Sequence, residues 1–375
     1  MCGKTLRDPA RNADNRQIAK AQTNRRSASN AAPRGRSSSA PSDSPLTDSR
    51  LGRIIHVLSE HATLVISGTK LAQEIGSSRS EVWRLIQQLR GLGVEIEGHP
   101  AAGYQLKKVP DLPLPEILAP MLRGTIFAGH VQHIYRIGST NAAAMNAAAQ
   151  GAPEGSVLLA EHQTLGRGRG GHGWESPPSS GIYLSAILRP PLAPADVLVL
   201  SLAVGLSVAR AVGEVTGLRV DLRWPNDLLL GGKKLCGILI ELNAEVTLVQ
   251  YAVVGIGVNV NQQQFPPQLR EIATSLRIES GRTWSRVELT AALLKSLDRE
   301  YRELLTGAPG AVRDQIFRRF EQHSSSARGK RVQVEENGGF EGVTAGLDDR
   351  GFLRVETASG PRTVLSGGVR EIAND

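Results

Sequence analysis

Five glycines and two arginines fall within nine residues at Gly166-Arg167-Gly168-Arg169-Gly170-Gly171-His172-Gly173-Trp174. Glycine accepts backbone angles that side chains forbid and lets main-chain N–H groups come close to a ligand. Each guanidinium presents a fixed fork of donors that suits phosphate or carboxylate oxygens. The Trp174 indole adds a flat face for a ring. No Gly-Lys-Ser/Thr follows, so the segment is not a P-loop. Taken alone it reads as an anion-holding loop and, with equal weight, as a flexible or nucleic-acid-contacting Arg/Gly segment.

Other groupings could act with it. Ser139-Thr140-Asn141 precedes an Ala-rich run, where side-chain polar groups and the free N–H groups of a helix start converge. A plain helix cap would look the same. Gln163 opens the loop and is either a ligand contact or a strand-end surface residue. Trp224-Pro225-Asn226-Asp227 is a turn carrying an amide and a carboxylate. Lys233 and Lys234 open an apolar run, and neighbours on a strand face opposite sides, so only one of them can face a given site.

These groups need a scaffold. Strand signals lie at 156–161, 182–188, 220–224, 235–242 and 249–260, and helix signals at 142–150, 196–216 and 286–305. The last helix opens with a capping box, Ser285 to Glu288. This is a mixed α/β domain over 123–322. Ahead of it, apolar residues at helical spacing mark three helices, the third opened by a capping box from Ser78 to Glu81 and stopped at Gly91 and Gly93. Strand-like pieces at 94–97 and 103–106 complete a winged helix-turn-helix over 49–108. The Pro-rich 109–122 reads as a linker. From about residue 326 the period changes to two, with short strands at 330–335, 340–347, 352–357 and 362–366. That pattern suggests a small SH3-like barrel over 326–375.

Bulk properties bound the rest. The chain has 375 residues, 40% hydrophobic and 21% charged, which fits a globular protein of two or three domains. No apolar run is expected to approach the roughly 18 residues that span a bilayer, and residues 1–50 lack a secretory h-region. The two cysteines, Cys2 and Cys236, exclude a disulfide framework and a Cys-based zinc site and suit a reducing cytoplasm. The first 50 residues hold ten Lys/Arg against four Asp, so most of the net charge of +8 is a basic tail. Residues 1–48 are expected to be disordered.

The block Ala160-Glu161-His162-Gln163, the Gly/Arg loop, Trp174-Glu175-Ser176-Pro177, the Arg223–Asp227 turn, Lys233 to Glu241, Gly255-Ile256-Gly257-Val258-Asn259 and Gly138-Ser139-Thr140-Asn141 together resemble the biotin protein ligases. They occur in the family's order over roughly 50–372. The layout is similar to the bifunctional type, both ligase and biotin-operon repressor. The resemblance implies a central ligase domain related to class II aminoacyl-tRNA synthetases. It implies that biotin and ATP, with Mg2+, give biotinyl-5′-AMP, and that biotin then passes to a lysine of a biotin carboxyl carrier protein. It also implies a homodimer and operator DNA as a partner.

By that resemblance Ser139, Thr140, Asn141 and Gln163 hold biotin, and Arg167, Gly168, Arg169 and Lys234 meet its carboxylate and the α-phosphate. Trp174, Asn226 and Asn259 contact the nucleotide base. Arg169, Lys234 and Asp227 are the catalytic candidates, Asp227 by positioning Mg2+ or the incoming lysine, or else as a turn cap. The repressor type carries more cations in the loop where this chain has Gly170, His172 and Gly173, which predicts a faster loss of biotinyl-AMP. DNA contacts fall to Arg79, Arg84, Gln87 and Arg90. Residues 51–105 nevertheless hold five basic and five acidic groups. A winged helix that does not bind DNA, a lipoate or octanoate transferase, and a transcription factor that only senses biotin are the competing readings. The transferase reading lacks a reason for the Gly-Arg-Gly-Arg loop.

Overall fold

The computed structural model describes residues 49–91, 94–108, 111–336, 338–366 and 368–372, so the basic segment 1–48 and Gly93 lie outside the described residues.

The N-terminal module has helices α1 (Ser49–Glu60), α2 (Gly68–Glu74) and α3 (Arg79–Gly91) and a hairpin of β1 (Ile96–His99) and β2 (Gly103–Leu106). Ser78 caps α3 through its Oγ, which accepts the Glu81 N–H at 3.2 Å. Ile54, Leu58, Leu71, Val82, Leu85 and Ile86 form a core of its own, as the helical spacing required. The winged helix-turn-helix expectation is met, with the first strand two residues later than the pattern suggested.

The linker expectation needs correcting. Pro115–Met121 is a helix, α4, which tolerates Pro115 because a first-turn residue has no intrahelical use for its N–H. Leu112 and Leu114 are buried in the N-terminal core, while Leu118 and Leu122 are buried in the next one. The segment is a packed bridge, with Pro115 at the start of its helix and Pro120 inside it.

The central sheet has seven strands: β3 (Val131–Ile137), β4 (Val157–Gln163), β5 (Gly181–Leu188), β6 (Asp221–Arg223), β7 (Asp227–Leu230), β8 (Lys233–Ala244) and β9 (Val249–Asn259). Their order is β3-β4-β5-β9-β8-β7-β6, with β3 parallel to β4 and the other pairs antiparallel. Helix α5 (Thr140–Ala149) packs on β4, β5 and β9, and α6 (Val197–Thr216) packs on α8 (Arg286–Thr306) and α9 (Pro309–Gln322). A short α7 (Leu276–Ser280) lies between β9 and α8. Ser285 caps α8, its Oγ accepting the Glu288 N–H at 3.2 Å.

Contrary to the sequence expectation, α6 is apolar and long enough to cross a membrane by length and composition. Its Leu200, Leu202, Val204 and Val208 are nonetheless almost wholly buried in the core beside the sheet. A helix enclosed on most sides is hydrophobic all round for the same reason as a membrane span.

The C-terminal domain is a five-stranded antiparallel sheet of β10 (Arg328–Glu335), β11 (Phe340–Leu347), β12 (Leu353–Thr357), β13 (Gly360–Val364) and β14 (Gly368–Glu371), in the order β13-β12-β11-β10-β14. Val332, Val334, Leu353, Val355 and Val364 join the core of the central domain. The Trp224 indole N–H donates to the Gly351 carbonyl at 2.9 Å, tying the two domains together.

Candidate active site

Ser139 ends an extended stretch, and its Oγ faces the Ala142 N–H at 3.5 Å to cap α5. The helix therefore begins at Thr140, so Thr140 and Asn141 occupy its first turn, both buried. The Thr140 N–H and hydroxyl both donate to Gln163 Oε1, at 2.8 and 3.0 Å. Gln163 Nε2 then reaches Ser176 Oγ at 3.1 Å. Asn141 Nδ2 donates to Glu241 at 2.9 Å, and its Oδ1 accepts from Ser185 Oγ at 2.6 Å. Thr140, Asn141 and Gln163 thus form one hydrogen-bonded cap, joined through Ser185 Oγ, over the end of β4.

The floor beside this cap is bare backbone. Gly237 on β8 and Gly257 on β9 are register partners. A Cβ on Gly257 would lie 2.5 Å from the Trp174 ring, and one on Gly237 would lie 2.9 Å from it. A Cβ on Gly255 would come within 2.1 Å of Asn141 Oδ1. Alternate glycines in a strand put their missing side chains on one face, here the face that carries the indole and Asn141. One face of Trp174 is therefore taken up by the sheet, while Lys234 Nζ lies 5.7 Å from its ring centroid.

Cations surround this floor. Lys234 Nζ pairs with Asp227 at 2.7 Å across the β7–β8 ladder. Lys233 turns the other way and donates to the Arg270 carbonyl at 3.0 Å, as strand alternation requires. Arg167 reaches Glu241 at 3.5 Å. Arg169 donates to the Ser366 carbonyl of the C-terminal domain at 2.5 Å. The loop holds its shape through main-chain bonds, the Gly168 N–H to the His172 carbonyl at 2.7 Å and the Trp174 N–H to that of Gly166 at 2.9 Å. Gly170 and Gly171 have φ of +67° and +80°, a left-handed path that favours glycine.

The cap residues, the glycine floor, Trp174 and the cations Arg167, Arg169 and Lys234 line one cleft of about 620 Å3, which Asn226, Glu335 and Gly368 also enter. Asn226 locks its turn to β8 by donating from Nδ2 to the Ile238 carbonyl at 2.8 Å. Asn259 is the exception among the expected residues. It is buried outside the cleft lining, with Nδ2 donating to the Thr274 carbonyl at 3.0 Å and Oδ1 accepting from Gln262. Its place at the end of β9 makes it a strand-to-loop brace.

The sequence reading passed over Ser185, Glu241, Gly237 and the C-terminal contributors. The Gly255-Ile256-Gly257 alternation was the legible signal for the floor. Ser366 and Gly368 carried none, because a main-chain carbonyl can belong to any residue type.

Behind the cleft, Glu161 is fully buried between His133 Nε2 at 2.9 Å and Arg286 Nη1 at 2.8 Å. Burial pushes its carboxyl pKa up, but the His133 hydrogen bond and the Arg286 charge outweigh burial and hold it below the usual carboxylate value.

In the N-terminal module, Arg79 is exposed. Arg84 is tied to Glu81 at 2.6 and 2.8 Å, and Gln87 is half-buried. Arg90 donates from Nε and Nη2 to the Ile96 carbonyl at 3.0 and 2.9 Å. It is therefore a brace between α3 and the hairpin in this structure, and its guanidinium is engaged where a DNA contact was expected.

The chain matches the Biotin/lipoate A/B protein ligase family over residues 133–259, an HTH domain over 50–105 and the biotin protein ligase C-terminal domain over 328–369. It is 34% identical to the bifunctional ligase/repressor BirA of Bacillus spizizenii over 84% of this chain and 97% of that one. It is 36% identical to the biotin–[acetyl-CoA-carboxylase] ligase of Mycobacterium tuberculosis over 62% of this chain and 84% of that one. A biotin protein ligase from Aquifex aeolicus, solved in complex with biotin and ATP, superposes with a TM-score of 0.57 at 28% identity, covering 65% of this chain and all of that one. The matches to a helix-turn-helix, a ligase domain and a biotin protein ligase C-terminal domain, with 34% identity to a bifunctional relative over 84% of this chain, make it a member of the biotin protein ligase family.

Proposed function

We propose that the cleft forms biotinyl-5′-AMP from biotin and ATP and transfers the biotinyl group to a lysine of a biotin carboxyl carrier protein. The observation that carries this is the convergence in one cleft of a polar cap, a glycine floor and three cations. The cap of Thr140, Asn141 and Gln163 offers donors and acceptors that suit a ureido ring. Arg167, Arg169 and Lys234 lie where a carboxylate and a phosphate, both anions, must be brought together. In the first step a biotin carboxylate oxygen attacks the α-phosphorus and pyrophosphate leaves. In the second, the lysine amine attacks the acyl carbon, AMP leaves and the amine loses a proton.

Trp174 is assigned to the wall between acyl chain and base rather than to a free stacking platform, since the sheet covers one of its faces. Asn226 retains a free carbonyl oxygen for the base, and Asn259 drops out. Asp227, already paired with Lys234, orients that lysine. Among the described residues no three His, Cys, Asp or Glu cluster to hold a metal. That arrangement fits a cation brought in on the nucleotide phosphates, and no step here is assigned to it.

The family's repressor role supports the reading that the N-terminal module binds operator DNA, with the chain acting as a homodimer in the cytoplasm. The C-terminal sheet has the strand number of an SH3-like barrel, and the central domain fits the synthetase-like class. Incubation with labelled biotin, ATP, Mg2+ and an apo carrier domain tests the central claim. Labelled carrier is expected, and its absence would reject the assignment.

A further inference from the structure

Helix α3 buries Val82, Leu85, Ile86 and Leu89 and turns Trp83 outward at 58% exposure. The other three tryptophans are buried or half-buried. Trp83 is the large apolar side chain that α3 leaves in water. Arg79 lies one turn before Trp83 and Gln87 one turn after it, so the three share a stripe along the helix.

The stripe borders a concavity of about 670 Å3 between α3, the start of α2 and the tip of the hairpin. Arg79, Ser80 and Trp83 line it from α3, Ser67 and Thr69 from α2, and His99 from the hairpin. Asp and Glu are missing from its lining among the described residues. The module balances five acidic against five basic groups, so the acids lie elsewhere. Glu97 pairs with Lys107 at 2.5 Å, and Glu81 with Arg84. An acid-free hollow with an exposed arginine, hydroxyls and an indole suits a polyanion that also presents apolar edges.

We propose that Trp83 is the residue through which this module reads base sequence, by apolar contact with a thymine methyl group in the major groove. The proposal rests on the reading that the module binds DNA. Early residues of a recognition helix reach base edges, and the thymine C5-methyl is the apolar feature displayed there. Trp83 is the fifth residue of α3. Arg84 and Arg90 already serve contacts inside the module, which leaves Arg79 to hold backbone phosphate and Trp83 to discriminate.

The test selects bound duplexes from a random pool with the full chain, biotin, ATP and Mg2+, using the wild type, Trp83→Ala and Trp83→Phe. A wild-type motif containing thymine at a fixed position is expected. Trp83→Ala should lose the preference at that position and bind the chosen duplex roughly fivefold to a hundredfold more weakly, the range of one base contact. Trp83→Phe should keep the preference. Replacing that thymine by uracil should weaken the wild type by a similar factor and Trp83→Ala no further. The same motif and affinity in Trp83→Ala, or equal uracil losses in both proteins, overturns the proposal. So does a Trp83→Ala variant whose defect is loss of a DNA-independent dimer, which would give Trp83 to a second copy. A wild type that labels carrier yet enriches no sequence overturns the DNA reading of the module along with it.

Discussion

Asp111, in the bridge below the helix-turn-helix, accepts the Arg286 backbone N–H with Oδ1 at 2.7 Å and the Arg286 Nε–H with Oδ2 at 3.3 Å. A residue between two domains thus caps a helix of the second domain and holds that helix's first side chain. Arg286 is 2% exposed and carries on to Glu161, so Glu161, Arg286 and His133 share one enclosed site that the part-exposed Asp111 closes at its edge.

Removing Arg286 should cost far more than removing Asp111. Arg286→Met leaves the Glu161 carboxylate buried beside His133 alone, a loss of about 3–5 kcal/mol. Asp111→Ala gives up chiefly a cap, about 0.5–2 kcal/mol. Denaturant unfolding of both variants measures the pair, and equal losses would show that the Glu161 contact is not the expensive one.

The same carboxylate fixes a pH dependence. The Glu161 pKa is lower folded than unfolded, so its stabilisation is complete above the unfolded value of about 4.3 and is lost as pH falls below it through the folded value. The melting temperature of the wild type should drop more steeply below about pH 4 than that of Glu161→Gln. Parallel acid limbs would mean that Glu161 does not contribute.

Gly257→Val should strike the cleft. Its side chain must enter the space of the Trp174 ring, and overpacking of this kind costs about 1–3 kcal/mol. Displacement of the indole should raise the apparent KM for biotin or ATP roughly tenfold or more. Titration of each substrate with the variant checks this, and unchanged constants would show that the ring can move without loss.

Lys234→Met should lower adenylate formation roughly a hundredfold or more, the loss expected when one donor to developing charge is removed. Biotin-dependent exchange of labelled pyrophosphate into ATP isolates that step. A variant that exchanges normally but labels carrier slowly would move Lys234 to the second step.

His172 is the loop position open to a cation without strain, since its φ of −68° is ordinary while Gly170 and Gly171 follow a left-handed path. His172→Arg should slow the escape of biotinyl-AMP by up to about fivefold, the scale of an exposed ion pair. Gly170→Arg should not give the same gain, because a left-handed residue costs about 1–2 kcal/mol. Dissociation of preformed labelled adenylate compares the three proteins.

Many elements that bury a face are legible in the residues, although helix α9, which buries Ile316, Phe317 and Phe320, is not. Strands β5, β8 and β9 declared themselves through long apolar runs, and the capping boxes at Ser78 and Ser285 marked two helix starts. Edge strand β3 stayed hidden because its residues are half-buried and mixed in polarity. Strand β14 stayed hidden because it is mostly exposed. Ser139, Thr140, Asn141 and Gln163, which side-chain chemistry singles out, meet at one cleft. Asn259 lies outside that lining, and an amide at a strand end looks the same in sequence whether it meets a ligand or braces a loop. Helix α4 was mistaken for linker because proline marks both a break and a first turn.

The link between Arg169 and the C-terminal domain ends on a main-chain oxygen, that of Ser366. Such a partner is indifferent to which residue occupies position 366, so drift there leaves the contact standing. What the loop depends on is the presence of that strand end at the right distance. The third domain thereby meets the loop as a fixed post, held by backbone placement and not by the identity of a side chain.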